Sequence, residues 1–157
     1  MAENKFILLG KISGRVRHKP ILVGGGAVEL YTRGDYVSLD SDILARREEI
    51  EPVLKDFGFE KDGRIYISRD AVIDIVGTST KDRVQTIRLD GTPYKIRVLS
   101  IEDLIVDRAN ACKWWKSEID CEQMRRLIHL YKNAIDKEYL LKKARKEGVL
   151  KLVKPLL

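Results

Sequence analysis

The chain has 157 residues, of which 44% are hydrophobic and 34% are charged, and its net charge at pH 7 is +6. A chain of this length can bury a core of its own, so folding requires no disulfide or structural metal. No apolar run reaches the roughly 18 residues of a membrane-spanning helix, which argues against a membrane protein. The positive charge favours phosphate-bearing partners without specifying one.

The two cysteines and the N-terminal segment both indicate a cytoplasmic protein. The first apolar run is too short for the core of a signal peptide. Cys112 and Cys121 fall in predicted helices and form no Cys-x-x-Cys motif. We therefore interpret both cysteines as reduced thiols.

The first hundred residues alternate short apolar runs with helical patterns. Gly58 is a natural helix stop, and Asp90-Gly91 is a typical hairpin turn. The predicted helices are 3–17, 27–31 and 48–57. The predicted strands are 21–23, 36–43, 64–68, 71–76, 83–89 and 94–99.

From Ser100 onward the pattern changes to helices. Capping-box patterns at Ser100 and Asp120 open two of them, and the adjacent Trp114 and Trp115 are interpreted as packing residues. The predicted helices are 101–116, 120–133 and 137–146, whereas 149–157 fits no single pattern. The fold class is therefore α/β (α+β), with a mixed sheet flanked by helices in 1–100 and a helical segment in 101–157 that packs on it. Together they form a single predicted domain, 1–157.

Three consecutive glycines, Gly24, Gly25 and Gly26, follow the first predicted strand directly. They fail the dinucleotide fingerprint G-x-G-x-x-G because Glu29 stands at its last position, and no G-K-[ST] follows to make a P-loop. What remains is a helix N-terminus, whose N–H groups and positive dipole end favour a phosphate. A tight turn without a ligand explains the glycines about equally well.

Two aspartates, Asp40 and Asp42, lie near the end of the second predicted strand. Because side chains alternate along a strand, both carboxylates are expected on one face, opposite Leu39 and Ile43. Neighbouring carboxylates repel each other, and a hard divalent cation between them relieves that repulsion. The D-x-D pattern therefore suits one or two divalent ions of phosphoryl-transfer chemistry. Two solvated aspartates at an exposed strand end are the alternative.

Asp74 interrupts a later apolar run, Ala71–Val76, that otherwise reads as a buried strand. Burying an unpaired carboxylate is costly. The carboxylate therefore needs a metal, a neighbouring lysine or arginine, or an exposed strand end.

Together, these residues resemble the nucleotidyltransferase superfamily of the DNA polymerase beta type. The resemblance is closer to its small prokaryotic members, which include the nucleotidyltransferase toxins of type IV toxin–antitoxin pairs. The glycines with Ala27 match the first part of that signature, and Ser38–Asp42 resembles the second, with serine in place of threonine. The segment Leu99–Arg108 also looks like the segment that follows the sheet in these proteins.

The resemblance implies a metal-dependent enzyme that moves a nucleotide monophosphate group from an NTP to an acceptor hydroxyl on RNA, protein or a small molecule. It implies that Asp40, Asp42 and Asp74 bind Mg²⁺ or Mn²⁺ and carry catalysis, while the glycine turn holds the NTP phosphates. A homodimer or a cognate partner protein is also in keeping with it.

Many active members have a serine where this chain has Gly26, which leaves phosphate binding to backbone N–H groups. The alternative function is therefore a catalytically silent binding module of the same fold. Such a module would act as a regulatory partner or an RNA-binding accessory. The basic residues near both ends of the chain slightly favour it.

Arg108 falls in the middle of an apolar stripe on the predicted helix 101–116. A guanidinium there must reach a carboxylate, a phosphate or solvent. One interpretation is a contact with the nucleotide or the acidic cluster. The other, weighed equally, is a structural ion pair such as one with Asp120.

Overall fold

The computed structural model describes residues 4–157, which form a mixed α/β fold as predicted. The predicted helix 3–17 begins outside this range. The strands are β1 (Ile21–Val23), β2 (Ser41–Leu44), β3 (Glu60–Asp62), β4 (Ile65–Ile67), β5 (Val72–Gly77), β6 (Val84–Arg88) and β7 (Lys95–Leu99). The helices are α1 (Lys5–Ser13), α2 (Gly24–Tyr31), α3 (Arg47–Asp56), α4 (Ile101–Trp115), α5 (Glu118–Tyr131), α6 (Lys137–Lys146) and α7 (Leu150–Val153), followed by a 3₁₀ turn at Lys154–Leu156.

These elements belong to two compact units. Among the described residues, the first comprises 4–26 together with Ser38–Leu99, and it holds strands β1 to β7. The second comprises Ala27–Val37 and Ser100–Leu157 and is helical.

The first unit is built on a seven-stranded mixed sheet with the strand order β3-β4-β5-β2-β1-β7-β6. β1 runs antiparallel to β2 and parallel to β7, and β2 runs parallel to β5. Leu22, at the centre of β1, pairs with Ile43 on one side and Val98 on the other, and all three side chains are fully buried. Helix α1 packs against β7 in this unit.

The next row of the sheet carries the acidic residues. Val23 pairs with Asp42, which pairs in turn with Asp74. Because successive side chains along a strand point to opposite faces, this row faces away from the apolar row of Leu22 and Ile43. The apolar row thus contributes to the core while the acidic row gathers on the other face.

The structure departs from the prediction at three elements of the first unit. Helix α1 ends at Ser13, because Gly14 follows as its C-cap. Strand β2 begins only at Ser41, so Asp40 lies in the bend before it. Strand β3, which was not predicted, has exposed side chains throughout and therefore lacks the apolar alternation that identifies a strand.

In the second unit, a buried carboxylate connects α4 to α6. Asp103 accepts hydrogen bonds from Ser100 Oγ at 2.6 Å and from Tyr139 Oη at 2.7 and 2.8 Å, and Lys143 Nζ lies 3.4 Å away. Its side chain is fully buried. These hydrogen bonds and the nearby ammonium group offset the free-energy cost of burying the Asp103 carboxylate. Burial also raises the pKa of the nearby Tyr31 hydroxyl, with the Glu102 carboxylate as the next cause.

Three interpretations of the second unit were wrong. Helix α5 is capped by Ser117, whose Oγ accepts from the backbone N–H of Asp120, so Asp120 is not the cap. Cys112 and Cys121 form a disulfide, because the turn between α4 and α5 brings the two helix faces together. Trp114 and Trp115 are 64% and 82% exposed rather than packed in the core.

Residues 4–157 contain no helix long and apolar enough to cross a membrane.

Candidate metal and nucleotide site

The three glycines, predicted as a turn before a helix at 27–31, instead form the first turn of α2. This glycine turn leaves room for a carboxylate. Gly24 has a φ of +60°, and a Cβ built on it would lie 2.9 Å from Asp42 Oδ2. A Cβ on Gly25 would lie 3.1 Å from Ser38 Oγ. The absence of side chains at Gly24 and Gly25 therefore lets the turn approach both Asp42 and Ser38.

Gly26 is more enclosed than the two glycines before it. It is buried, and a Cβ there would lie 3.0 Å from Leu22 Cδ1 and 3.7 Å from the Cα of Ser41. A serine at this position would first have to displace the end of the Leu22 side chain. Close packing thus accounts for a glycine here.

The three aspartates singled out from the sequence come together. One carboxylate oxygen from each of Asp40, Asp42 and Asp74 lies within 4.8 Å of the other two. Asp42 and Asp74 are register partners on the parallel strands β2 and β5, so their side chains share a face. Asp40 and Asp42 are half-buried, whereas Asp74 is buried.

The bend that carries Asp40 is fixed by two hydrogen bonds. Ser38 Oγ donates to the backbone oxygen of Asp40 at 2.7 Å. The backbone oxygen of Ser38 accepts from Lys5 Nζ at 2.6 Å. These bonds position Asp40 outside the strand. The alternation of side chains along β2 is therefore not what brings Asp40 close to Asp42.

The two oxygens of the Asp74 carboxylate differ in their surroundings. Oδ2 lies 3.2 Å from a guanidinium nitrogen of Arg64, whose side chain is 77% exposed. Oδ1 is buried and has no hydrogen-bond partner among the described residues. The carboxylate is therefore only half satisfied by a solvent-exposed cation.

The donor set fits a divalent cation. Mg²⁺ and Mn²⁺ bind carboxylate oxygens, and three carboxylates at this spacing can share one or two such ions. The orphaned Oδ1 of Asp74 supports this fit most directly, because a buried carboxylate oxygen without a partner is costly.

Arg108 lies in the second unit, where it makes the structural ion pair weighed above. Its Nη1 donates to Asp120 Oδ1 at 2.9 Å, and its Nη2 donates to Asp107 Oδ2 at 2.5 Å. The side chain is 17% exposed. A nucleotide contact by Arg108 stays a prediction.

Two residues around the aspartates were missed at the level of sequence. Arg64 follows Gly63, whose φ of +63° marks a tight turn between β3 and β4. That turn places Arg64 beside Ile65, the register partner of Asp74. The pair depends on the antiparallel register of β4 and β5, which the sequence pattern does not specify. Lys5 gave no signal, because its contact is with a backbone oxygen far along the chain.

Comparisons with known proteins identify the family and the fold. A family model described as "Nucleotidyltransferase of unknown function (DUF6036)" matches residues 5–145. No curated protein matches the chain. Among solved structures, an antigenic nucleotidyltransferase-like protein from Paracoccidioides brasiliensis is similar, with a TM-score of 0.58 and 16% identity. That similarity covers 94% of this chain and 89% of the other, and at this identity it shows the fold alone. The family match covers most of the chain, so this protein belongs to the DUF6036 family of nucleotidyltransferases.

Proposed function

We propose that this protein is an active nucleotidyltransferase that transfers a nucleotide monophosphate group from an NTP to an acceptor hydroxyl. The observation that carries the proposal is the Asp40, Asp42 and Asp74 cluster with its half-satisfied buried carboxylate. Belonging to a nucleotidyltransferase family supports the reaction type.

The three aspartates would hold Mg²⁺ or Mn²⁺. When bound, such an ion neutralises phosphate charge and stabilises the attacking and leaving oxygens. In the reaction, the acceptor oxygen forms a bond to the α-phosphorus, the bond to the bridging oxygen breaks, and pyrophosphate leaves. Asp74 is the best-placed carboxylate to accept the hydroxyl proton, because its Oδ1 has no competing partner among the described residues.

The glycine turn would hold the remaining phosphates. Gly24 and Gly25 are partly exposed at the start of α2 and carry no side chain to block an approach. Backbone N–H groups at a helix start suit an anion. Gly26 would contribute to phosphate binding through its backbone N–H alone. Arg108 would contact the nucleotide only if it left Asp107 and Asp120.

Incubation with labelled NTPs, Mg²⁺ and either total RNA or total protein tests the proposal. We expect label in one acceptor pool with the wild type and none with Asp40→Ala or Asp74→Ala. Asp56→Ala is the matched control, because Asp56 is an exposed aspartate of the same unit that pairs with Arg15. Label that persists in both cluster variants would contradict the site. Folded wild type that labels neither pool, nor a panel of small hydroxyl compounds, would favour the silent binding module.

A further inference from the structure

The side chain of Arg64 is the unusual feature of the aspartate cluster. It starts in the tight turn between β3 and β4, is mostly exposed, and yet places its guanidinium 3.2 Å from a buried carboxylate. Solvent reaches the guanidinium but not the carboxylate, whose side chain is 5% exposed. The pair therefore joins an accessible cation to a buried acid.

The guanidinium of Arg64 lies at the edge of the aspartate cluster. Arg64 neutralises one of three carboxylates that lie within 4.8 Å of one another. It contacts only Oδ2 of Asp74, while Oδ1 stays buried without a partner among the described residues. A divalent cation bound at Oδ1 would share this carboxylate with the guanidinium at Oδ2, so the two positive charges would repel each other.

We infer that Arg64 is an exchangeable counter-cation, which occupies Asp74 in the free protein and moves to the phosphates of the substrate when a divalent ion binds. The inference rests on the proposed function. An arginine side chain is long and flexible, and here it is solvated, so it can rotate away from Oδ2 at low cost. A guanidinium suits phosphate oxygens because it donates two parallel hydrogen bonds to them.

Two effects of opposite sign follow for an Arg64→Gln variant. Without nucleotide, Mn²⁺ should bind about three- to tenfold more tightly than to wild type, because a competing charge has gone. With saturating Mn²⁺, a non-hydrolysable NTP analogue should bind about tenfold more weakly, because a charge-assisted contact has gone. A residue with a purely structural role would not produce this divergence.

The experiment measures both affinities by calorimetry on the full chain. Arg69→Gln is the matched control, since it removes an exposed arginine from the same unit. Arg64→Lys keeps the charge and should lie between wild type and Arg64→Gln in both assays. Equal Mn²⁺ affinities, or equal analogue affinities, in Arg64→Gln and Arg69→Gln would overturn the inference.

Failure of the underlying function gives a different result. If Asp74→Asn binds Mn²⁺ as well as wild type does, the metal site itself is wrong. If Asp74→Asn loses Mn²⁺ while Arg64→Gln behaves as wild type, only the role of Arg64 is wrong.

Discussion

Gly24 and Asp42 are so close that a Cβ on Gly24 would lie 2.9 Å from Asp42 Oδ2. The contact joins the glycine turn to the aspartate cluster, although the two features lie in separate stretches of sequence. The glycine is also needed for its φ of +60°, which other residues adopt at a cost of about 1–2 kcal/mol.

Replacement of Gly24 by alanine should therefore harm both stability and metal binding. Gly91→Ala is the matched control, because Gly91 has a φ of +72° and a Cβ built there would meet no atom within 4 Å. Both variants should lose about 1–2 kcal/mol of unfolding free energy to backbone strain. Only Gly24→Ala should also weaken Mn²⁺ binding, measured by calorimetry. Equal Mn²⁺ affinities in the two variants would show that Gly24 serves the turn alone.

Asp74→Asn should raise the melting temperature of the metal-free protein. The substitution removes charge from the repelling cluster, and its amide can donate to the neighbouring carboxylates. A gain of about 1 kcal/mol corresponds to about 2–4 °C for a chain of this size. Mn²⁺ should then raise the melting temperature of wild type but not of the variant.

The control for this experiment is Asp56→Asn, which removes an exposed carboxylate paired with Arg15. Its melting temperature should stay close to that of wild type. A clear drop for Asp74→Asn would mean that its ion pair with Arg64 is structural, and that the cluster is not held under repulsion.

Tyr139→Phe should destabilise the second unit. The lost hydroxyl donates to both oxygens of the buried Asp103 carboxylate. Leaving that carboxylate less satisfied costs about 1–3 kcal/mol. Chemical denaturation measures the loss, and Tyr36→Phe is the control because Tyr36 is a partly exposed tyrosine of the same unit that lies outside the Asp103 hydrogen bonds named above. Similar unfolding free energies for the two variants would contradict the role assigned to Asp103.

Reduction of the disulfide should lower stability. The Cys112–Cys121 bridge closes a short loop between α4 and α5, and such a closure stabilises by about 2–3 kcal/mol. Thermal denaturation with and without dithiothreitol measures the difference. The double variant Cys112→Ser, Cys121→Ser should not respond to the reductant. An equally unresponsive wild type would show that the cysteines remain reduced, as their spacing in the sequence indicates.

The order of helices and strands was largely predictable because most of these elements carry a clear apolar period. Strand β3 was not, since all its side chains are exposed. The disulfide was missed because both cysteines were interpreted as reduced thiols, and their spacing does not show that α4 and α5 bring them together. Asp74 was recognisable because it is the one carboxylate within an otherwise apolar predicted strand. Arg64 did not, because an exposed arginine in a turn is ordinary until the strand pairing places it against Asp74.

The central claim is that Asp40, Asp42 and Asp74 together bind a divalent ion. The most direct test is a crystal structure of the wild-type protein soaked in Mn²⁺, with an anomalous difference map calculated at the manganese edge. We expect a peak within coordination range of a carboxylate oxygen from all three aspartates, with Arg64 displaced from Asp74. A map without a peak at these residues, with Arg64 still paired to Asp74, would contradict the claim.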